Sequence, residues 1–356
     1  MNLICLGLSH RTAAVDLREK FAVADADLIS AGTRLGQIVG IQETVIVSTC
    51  NRVEFYAAAE KPERGFVGLH EFLAARAHEH SYDPDIFYQF DAPDSIRHLF
   101  RVVSGLDSMV LGETEILGQV KKAYSTASSG GTTSRHLNKL FQRAFNVAKE
   151  VRTQTNITRG PVSVGSAAVD LAEKIFGHLG RCKVMILGAG ETSEMTARAL
   201  YSRGVTSILV SNRTYERAHA LATELNGQAI HFEQWGEHFH DVDIVISSTA
   251  APHPILTREK IASIMGGRED RPLFIIDLAV PRDVEAAVNE VEGVYLYDID
   301  SLQAIARQSM EIRRQDLVLC EGLIERHVHD FNQWLGRCHL PPAEQAALSS
   351  KRLAAL

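Results

Sequence analysis

The sequence predicts a multidomain α/β protein with a mixed α+β domain, a second domain built on a parallel sheet, and a C-terminal helical region. Its 356 residues are enough for two or three domains. Strand and helix patterns mix up to about residue 155, whereas strands and helical segments alternate from about residue 183. Such alternation implies right-handed βαβ units and a parallel sheet. We expect domains at 1–156, 157–298 and 299–356.

The first domain contains apolar runs that predict strands over 3–8, 43–49 and 53–60. Helical periodicity in the same domain predicts helices over about 25–39, 64–80, 94–104, 114–128 and 134–155. Thr158-Arg159-Gly160-Pro161 then breaks the last helix, because proline lacks the amide hydrogen that a helix needs. We therefore expect the hinge into the second domain at this point.

The second domain has predicted strands at 183–187, 208–211, 243–247 and 273–277, and the chain is helical after Tyr297. Within that final helix an apolar stripe is expected to pack on the rest of the chain or on a partner; its members are Leu302, Ile305, Ile312, Leu319 and Leu323.

The composition is that of an ordinary globular protein, with 45% hydrophobic and 23% charged residues. No apolar run reaches the roughly 18 residues of a membrane-spanning helix, and the N-terminus reads as a strand rather than a signal peptide. Five cysteines are scattered without metal-ligand spacing. We therefore expect a cytoplasmic protein with no membrane association and no metal site.

The charge is unevenly distributed along the chain. The net charge is −7, yet between Lys121 and Arg159 the sequence holds eight Lys or Arg residues and one acid, Glu150. Such a stretch predicts either a local surface for phosphates or a solvated helix face whose charge is balanced elsewhere in the fold.

Ser48-Thr49-Cys50-Asn51-Arg52 lies between two β-rich runs and is a candidate site for an activated thiol. The thiolate is the reactive form of cysteine, and a neighbouring guanidinium lowers the thiol pKa. Thr49 and Asn51 are candidates to hold a polarised carbonyl oxygen. The alternative is a buried structural cysteine.

A candidate nucleotide site begins where the strand Val184–Leu187 runs into Gly188-Ala189-Gly190-Glu191-Thr192-Ser193 and then a helix. This order of strand, glycine turn and helix is typical of a Rossmann-type domain, although Ser193 stands where a third glycine is usual. The next strand ends in Ser211-Asn212-Arg213-Thr214, which offers an arginine instead of the carboxylate typical of NAD sites. We therefore expect NADPH as cofactor.

Together these motifs resemble the glutamyl-tRNA reductase family over nearly the whole chain. The matching segments are Gly7–Ala13, Leu17–Lys20, Ser48–Glu54, His98–Phe100, Ser104–Lys121, Gly188–Glu191, Ser211–Thr214 and Asp277–Asp283. The resemblance implies NADPH-dependent reduction of glutamyl-tRNA(Glu) to glutamate-1-semialdehyde, the first committed step of the C5 route to tetrapyrroles. It also implies a homodimer joined through the C-terminal helical region, and a complex with glutamate-1-semialdehyde aminomutase.

The resemblance further assigns residues to roles. Cys50 is the expected nucleophile, and His98 is expected to assist activity. The glutamyl-binding set is Thr49, Asn51, Arg52, Ser108, Glu113, Thr114, Glu115 and Gln119. The cofactor-binding set is Gly188, Ala189, Gly190, Glu191, Thr192, Ser193, Ser211, Asn212, Arg213 and Thr214. Arg52 is a candidate partner for both the substrate carboxylate and the thiolate.

Two other functions stay open at this stage. A shikimate-dehydrogenase-like oxidoreductase acting on a small acid explains the nucleotide motifs but not Cys50 or the segment Gly105–Gln119. A non-enzymatic module that binds tRNA or a partner enzyme is the second alternative. Because family members commonly run several tens of residues further, we also expect a short dimerisation region.

Overall fold

The computed structural model describes residues 1–76, 83–268 and 271–338. The chain forms two compact units, one of residues 1–159 together with the chain from Ile312 onward, and one of residues 160–311. Within the described ranges, none of the helices combines the length and apolar character that a bilayer crossing requires. The end of the helix expected over 64–80 and the C-terminal residues 339–356 lie outside the described ranges.

The first unit is built on a sheet with the strand order β2-β3-β1-β4, in which every neighbouring pair is antiparallel. Its strands are β1 (Asn2–Ser9), β2 (Ile41–Ser48), β3 (Arg52–Ala59) and β4 (Tyr88–Asp91). In the β1–β3 register, Gly7 lies opposite Glu54 and Ser9 opposite Arg52. This register places the polar start of β3 beside the end of β1.

Helices cover both faces of this sheet. They are α1 (Val15–Phe21), α2 (Leu28–Gly36), α3 (Pro62–Arg76), α4 (Asp94–Val103), α5 (Glu115–Ser129) and α6 (Arg135–Gln154). One face packs apolar residues against α1 to α3, and the other packs against α4 to α6. Because both faces are buried, β1, β2 and β3 carry largely apolar runs, which is why these three strands were predictable from sequence.

The second unit contains a six-stranded parallel sheet in the order β7-β6-β5-β8-β9-β10. Its strands are β5 (Lys183–Leu187), β6 (Ser207–Asn212), β7 (Gln228–His231), β8 (Ile244–Ser247), β9 (Leu273–Asp277) and β10 (Val294–Asp298). Its helices are α7 (Val164–Phe176), α8 (Glu191–Ser202), α9 (Tyr215–Glu224), α10 (Trp235–His238) and α11 (Arg258–Met265). The chain order reverses between β5 and β8, where open α/β sheets bind ligands.

The last helix, α12 (Ile299–Cys338), runs through both units. Leu302 is buried in the second unit and Leu323 in the first, but Ile312 and Leu319 are 43% and 50% exposed. The five-residue stripe therefore does not form one face packed on its own chain. In the first unit the buried face is offset from it and comprises Cys320, Leu323, Ile324, Val328, Phe331 and Leu335.

The predicted fold class is confirmed, since the structure has the mixed α/β unit, the parallel sheet and the long C-terminal helix. The strands β4, β7 and β10 were missed because each has four or five residues and alternating or partial burial. Short strands of this kind lack the apolar run that identifies a buried strand.

Candidate active site

Cys50 lies in the tight turn between β2 and β3. The backbone amide of Thr49 donates to the Arg52 carbonyl (2.8 Å), and the Thr49 hydroxyl accepts from the amides of Asn51 (3.2 Å) and Arg52 (3.1 Å). Neighbouring segments hold the turn from outside: the His10 amide donates to the Asn51 carbonyl (2.9 Å), and Arg18 Nε donates to the Cys50 carbonyl (3.0 Å). The turn is thus fixed while Cys50 is exposed.

The other cysteines are in different surroundings. Cys5, Cys182 and Cys320 are buried, and burial is the largest cause that raises the pKa of each thiol, to about 11 for Cys182. Cys338 is partly exposed near the end of α12. All five cysteines are free. The structure therefore favours Cys50 as the reactive thiol and opposes the alternative that it is a buried structural residue.

Arg52 is buried beneath this turn rather than directed to solvent. Its guanidinium contacts Glu54 (Nη1 to Oε1, 2.6 Å) and both the carbonyl (2.6 Å) and carboxylate (3.1 Å) of Asp107. Burial alone would lower the pKa of Arg52, but the neighbouring Glu54, followed by Tyr88 and Asp107, raises it overall. Arg52 is therefore a fixed, permanent cation, and Arg18 is the arginine that contacts the Cys50 backbone.

Glu54 is the centre of the buried network. Its carboxylate accepts hydrogen bonds from Arg52, from the hydroxyls of Tyr56 (2.7 Å) and Tyr88 (2.6 Å), and lies 2.8 Å from His98 Nε2. Burial would raise the pKa of Glu54, but the charges of Arg52 and His98 and these hydrogen bonds hold it well below its usual range. His98 also packs its ring against Tyr88 and Phe90.

Gly7 makes room for this network. It lies opposite both Glu54 and Tyr88 in the sheet, and a Cβ there would come within 2.8 Å of Glu54 Cγ and 2.9 Å of Tyr88 Cε2. Sequence reasoning assigned no role to Glu54 or Asp107. The alternation of Arg52, Glu54 and Tyr56 along β3 is the signal that could have found Glu54, since alternate residues of a strand share one face.

The segment after α4 carries most of the remaining predicted substrate residues. Gly105 (φ 75°) and Gly112 (φ 76°) both adopt positive φ. The Gly112 amide donates a hydrogen bond to the Gly105 carbonyl (2.8 Å), which closes the segment into a loop. Ser108 follows Asp107 in this loop, and its hydroxyl is buried with no hydrogen-bond partner in the described structure. An unsatisfied buried hydroxyl beside the Arg52 network is suited to a polar ligand.

The other predicted substrate residues lie at the end of this loop and in the first turns of α5. Glu113 is half-buried, whereas Thr114, Glu115 and Gln119 are exposed. Within the described residues no hydrogen bond or ion pair joins these side chains to Cys50 or Arg52. The structure thus connects Arg52, Asp107 and His98 through one network and places the α5 residues on a separate element.

Cys5, Glu54 and His98 place one potential metal-ligating atom each within 4.8 Å of one another. The Glu54 oxygen nearest His98 already contacts the Arg52 guanidinium and the Tyr88 hydroxyl. A fixed cation at 2.6 Å opposes the binding of a second cation, so we interpret this group as a hydrogen-bonded network.

The glycine turn of the second unit has the shape of a dinucleotide cradle. Gly188 adopts φ 88°, and a Cβ at this position would overlap the carbonyl of Ser248 in the loop after β8. At Gly190 a Cβ would lie 2.9 Å from the Ser248 hydroxyl. The turn precedes α8 at the switch point of the sheet, where helix amides bind pyrophosphate. These residues fit the predicted NADPH group.

Ser193 explains how the turn forms without a third glycine. Its buried hydroxyl accepts from the Gly190 amide (3.0 Å) and donates within the turn toward the carbonyls of Gly190 (2.8 Å) and Gly188 (3.1 Å). A side-chain hydrogen bond thus closes the turn from inside. Ala189, Glu191 and Thr192 complete the cradle as backbone positions at the start of α8.

The four predicted cofactor residues at the end of β6 lie in different environments. Asn212 Oδ1 accepts from the Ala189 amide (3.3 Å), which ties the two motifs together, while Arg213 and Thr214 are exposed. Ser211 is fully buried, so its hydroxyl does not reach the surface where a phosphate would bind. This arrangement favours Arg213 over Ser211 as the contact for a 2′-phosphate.

Comparisons with known proteins match two different family models to the two parts of the chain that hold these sites. The family model of the glutamyl-tRNA(Glu) reductase N-terminal domain matches residues 6–155, and that of shikimate/quinate 5-dehydrogenase matches residues 170–305. A glutamyl-tRNA reductase of Akkermansia muciniphila is 46% identical and covers 93% of this chain and 97% of its own length. The corresponding protein of Geobacter sulfurreducens is 43% identical, with coverages of 99% and 81%.

Among solved structures, the glutamyl-tRNA reductase from Methanopyrus kandleri matches with a TM-score of 0.76 and 40% sequence identity. The match covers 94% of this chain and 80% of that one. It therefore includes both units, not only the parallel sheet that many nucleotide-binding proteins share.

Proposed function

The chain belongs to the glutamyl-tRNA reductase family, and we propose that it reduces the α-ester of glutamyl-tRNA(Glu) to glutamate-1-semialdehyde through a thioester on Cys50. The family assignment confirms the predicted NADPH-dependent oxidoreductase of tetrapyrrole biosynthesis. The observation that carries the Cys50 assignment is the exposed thiol on a rigid turn, above a buried network of fixed charges.

Cys50 performs the acyl transfer in this proposal. Its thiolate attacks the ester carbonyl, a carbon–sulfur bond forms, and the terminal ribose oxygen of the tRNA leaves and takes up a proton. The turn Gly188–Ser193 would hold NADPH, which would supply the hydride that reduces the acyl carbon. When the carbon–sulfur bond then breaks, the aldehyde is released and the Cys50 thiolate is regenerated.

The buried network orients the substrate. A glutamyl group carries an α-ammonium and a γ-carboxylate, so its pocket needs partners of both signs. We infer that Thr49, Asn51 and Ser108 hold the carboxylate end by hydrogen bonds, beside Arg52, whose guanidinium is paired with Glu54 and Asp107. Glu113, Thr114, Glu115 and Gln119 serve the ammonium end. Glu54 fixes the orientations of Arg52 and His98, and through His98 it assists activity.

We also propose that the protein is cytoplasmic. Five free cysteines are consistent with a reducing cytoplasm. We also propose domain roles as predicted, with 1–156 catalytic, 157–298 binding NADPH, and 299–356 dimerising. The homodimer and a complex with glutamate-1-semialdehyde aminomutase belong to the same proposal, resting on the family resemblance.

One assay tests the proposed reaction and its alternatives. The protein is incubated with glutamyl-tRNA(Glu), or with free small hydroxy acids, in the presence of NADPH or without it. We expect aldehyde only with glutamyl-tRNA and NADPH together, and a glutamyl adduct on Cys50, found by peptide mass, when NADPH is omitted. Turnover of a small acid would favour the dehydrogenase alternative, and binding of tRNA without an adduct would favour a non-enzymatic module.

A further inference from the structure

A groove of about 340 Å³ lies in the first unit between α6 and the second half of α12. Its lining includes Lys139, Gln142, Arg143 and Asn146 from α6, and Asp330, Trp334 and Arg337 from α12. A volume of this size is at the lower end of small-ligand sites, which span roughly 300–1,000 Å³. None of these residues belongs to the Cys50 network or to the glycine turn.

The groove is positively charged. Arg143 pairs with Asp330 at 3.2 Å, which balances one cation with the single carboxylate of the lining. Lys139 and Arg337 have no ion-pair partner among the residues that the structure describes. The groove therefore presents two uncompensated cations, which favour an anionic ligand.

Helix geometry separates this groove from the rest of the basic stretch. Residues four apart on an α-helix share a face, so Lys139 and Arg143 lie together on α6. Arg152 is on a different face, and its Nη2 donates to the Thr114 carbonyl at 3.2 Å. Lys122 pairs with Asp25, and Lys121 lies over the Phe145 ring. Only part of the stretch is thus available for a phosphate.

Trp334 gives the groove a rigid aromatic wall. The half-buried indole packs against Phe331 (centroids 5.0 Å apart) and His136 (6.1 Å), and Glu43 fixes His136 through its Nδ1 at 3.0 Å. Beside it the groove has the amides of Gln142, Asn146 and Gln333. Proteins recognise unpaired RNA bases by stacking on such aromatic rings and by hydrogen bonds to base edges.

We propose that this groove binds one unpaired nucleotide of the tRNA, with its base against Trp334 and its phosphate between Lys139 and Arg337. The proposal rests on the proposed function, because the reaction requires tRNA to reach an acidic protein. It adds a site for the carrier part of the substrate, separate from the groups that hold the glutamyl part.

The first experiment reports binding directly. The chain has two tryptophans, and Trp235 lies in the second unit against Phe239. In a Trp235→Phe variant, Trp334 is the only tryptophan, and we expect uncharged tRNA(Glu) to quench or shift its emission saturably. A Trp334→Phe variant, in which Trp235 is the only tryptophan, is the matched control and should not respond. Unchanged Trp334 emission at saturating tRNA would overturn the proposal.

The second experiment uses kinetics. Lys139→Gln with Arg337→Gln should raise the apparent KM for glutamyl-tRNA about tenfold and reduce the salt dependence of binding, by up to about 0.7 in logarithmic slope per lost contact. Trp334→Leu should raise this KM at least about fivefold, and Trp334→Phe should largely restore it, because stacking persists. The matched control, Lys61→Gln with Arg64→Gln, removes the same charges at exposed positions of the α3 region.

A small glutamyl ester without tRNA separates this proposal from the proposed function. The groove variants should acylate Cys50 from that ester at the normal rate. If they also use glutamyl-tRNA as the control variant does, the groove is not a tRNA site, although the reaction stands. A change only in the sedimentation of the protein alone would identify the groove as a protein interface and overturn the proposal. Failure of the unaltered chain to use glutamyl-tRNA would instead remove the proposed function.

Discussion

The turn at Cys50 and the turn at Gly188 both follow a buried strand, yet they are built in different ways. At Cys50 the turn carries a reactive side chain, and ionised groups that pair with one another lie beneath it. At Gly188 the important features are the missing side chain and the backbone amides at the start of α8. The first site depends on chemical identity and the second on space.

This difference has a consequence for substitutions. At the Cys50 site a change of functional group should have large effects even when the size is unchanged. At the Gly188 site a single added methyl group should be enough to weaken NADPH binding. Substitutions at the two sites should also have separate effects, because acyl transfer to Cys50 needs no NADPH.

The largest effect is expected for Cys50→Ser. A serine hydroxyl ionises far less readily than a thiol at neutral pH, so aldehyde formation should fall by at least about 10³-fold. NADPH binding, measured by fluorescence titration, should be unchanged. Cys338→Ser, at another partly accessible cysteine, is the control and should retain activity. Near-normal turnover by Cys50→Ser would remove this residue from the mechanism.

The steric counterpart is Gly188→Ala. The positive φ and the overlap with the Ser248 carbonyl force the turn to shift, and NADPH affinity should fall by about 10²-fold. The glutamyl adduct on Cys50 should still form. Gly236→Ala, where an added Cβ meets no atom within 4 Å, is the matched control. Equal NADPH affinity in both variants would show that the turn is not the nucleotide site.

A smaller effect is expected for Arg213→Ala. If its guanidinium holds the 2′-phosphate, the NADPH affinity should fall by roughly 2 kcal/mol, or about 30-fold, while NADH binding barely changes. Arg181→Ala changes an exposed arginine that precedes the amino-terminal end of β5, whereas Arg213 follows the carboxyl-terminal end of β6; this variant should affect neither cofactor. An equal loss for NADPH and NADH would contradict the phosphate assignment.

The smallest effect concerns acid stability. The pKa of Glu54 is lowered in the folded state, so its stabilisation is present above its ordinary pKa of about 4.3 and is lost as the pH falls below that value. One such carboxylate contributes a slope of up to about 1.4 kcal/mol per pH unit. Glu54→Gln should lower the free energy of unfolding at neutral pH and flatten its decline between pH 5 and 3.

Urea unfolding of the unaltered chain and the variant across this pH range checks the prediction. Glu63→Gln, at an exposed position of α3, serves as the control and should keep the original pH dependence. Parallel pH curves for Glu54→Gln and the unaltered chain would show that the network does not hold Glu54 ionised.

The sequence by itself determined the features that depend on local pattern. Buried strands such as β2 and β5 have continuous apolar runs, and the glycine turn follows β5 directly. The motif around Cys50 and the segment Ser104–Lys121 were sufficient to indicate the family. These signals are readable because neighbouring residues in the chain supply both the element and its boundary.

Only the tertiary structure decided which groups contact one another. Arg52 is two residues from Cys50 in sequence, a spacing that suggests it could activate the thiol, but its side chain is buried against Glu54 and Asp107. Ser211 lies in the cofactor motif, yet its side chain faces the interior. The basic stretch divides because Lys139 and Arg152 lie on different faces of one helix. The helix α12 completes the groove, and its Asp330 is 187 residues beyond Arg143, with which it pairs. Pairing across such separations depends on the three-dimensional packing of the elements, which local sequence does not encode.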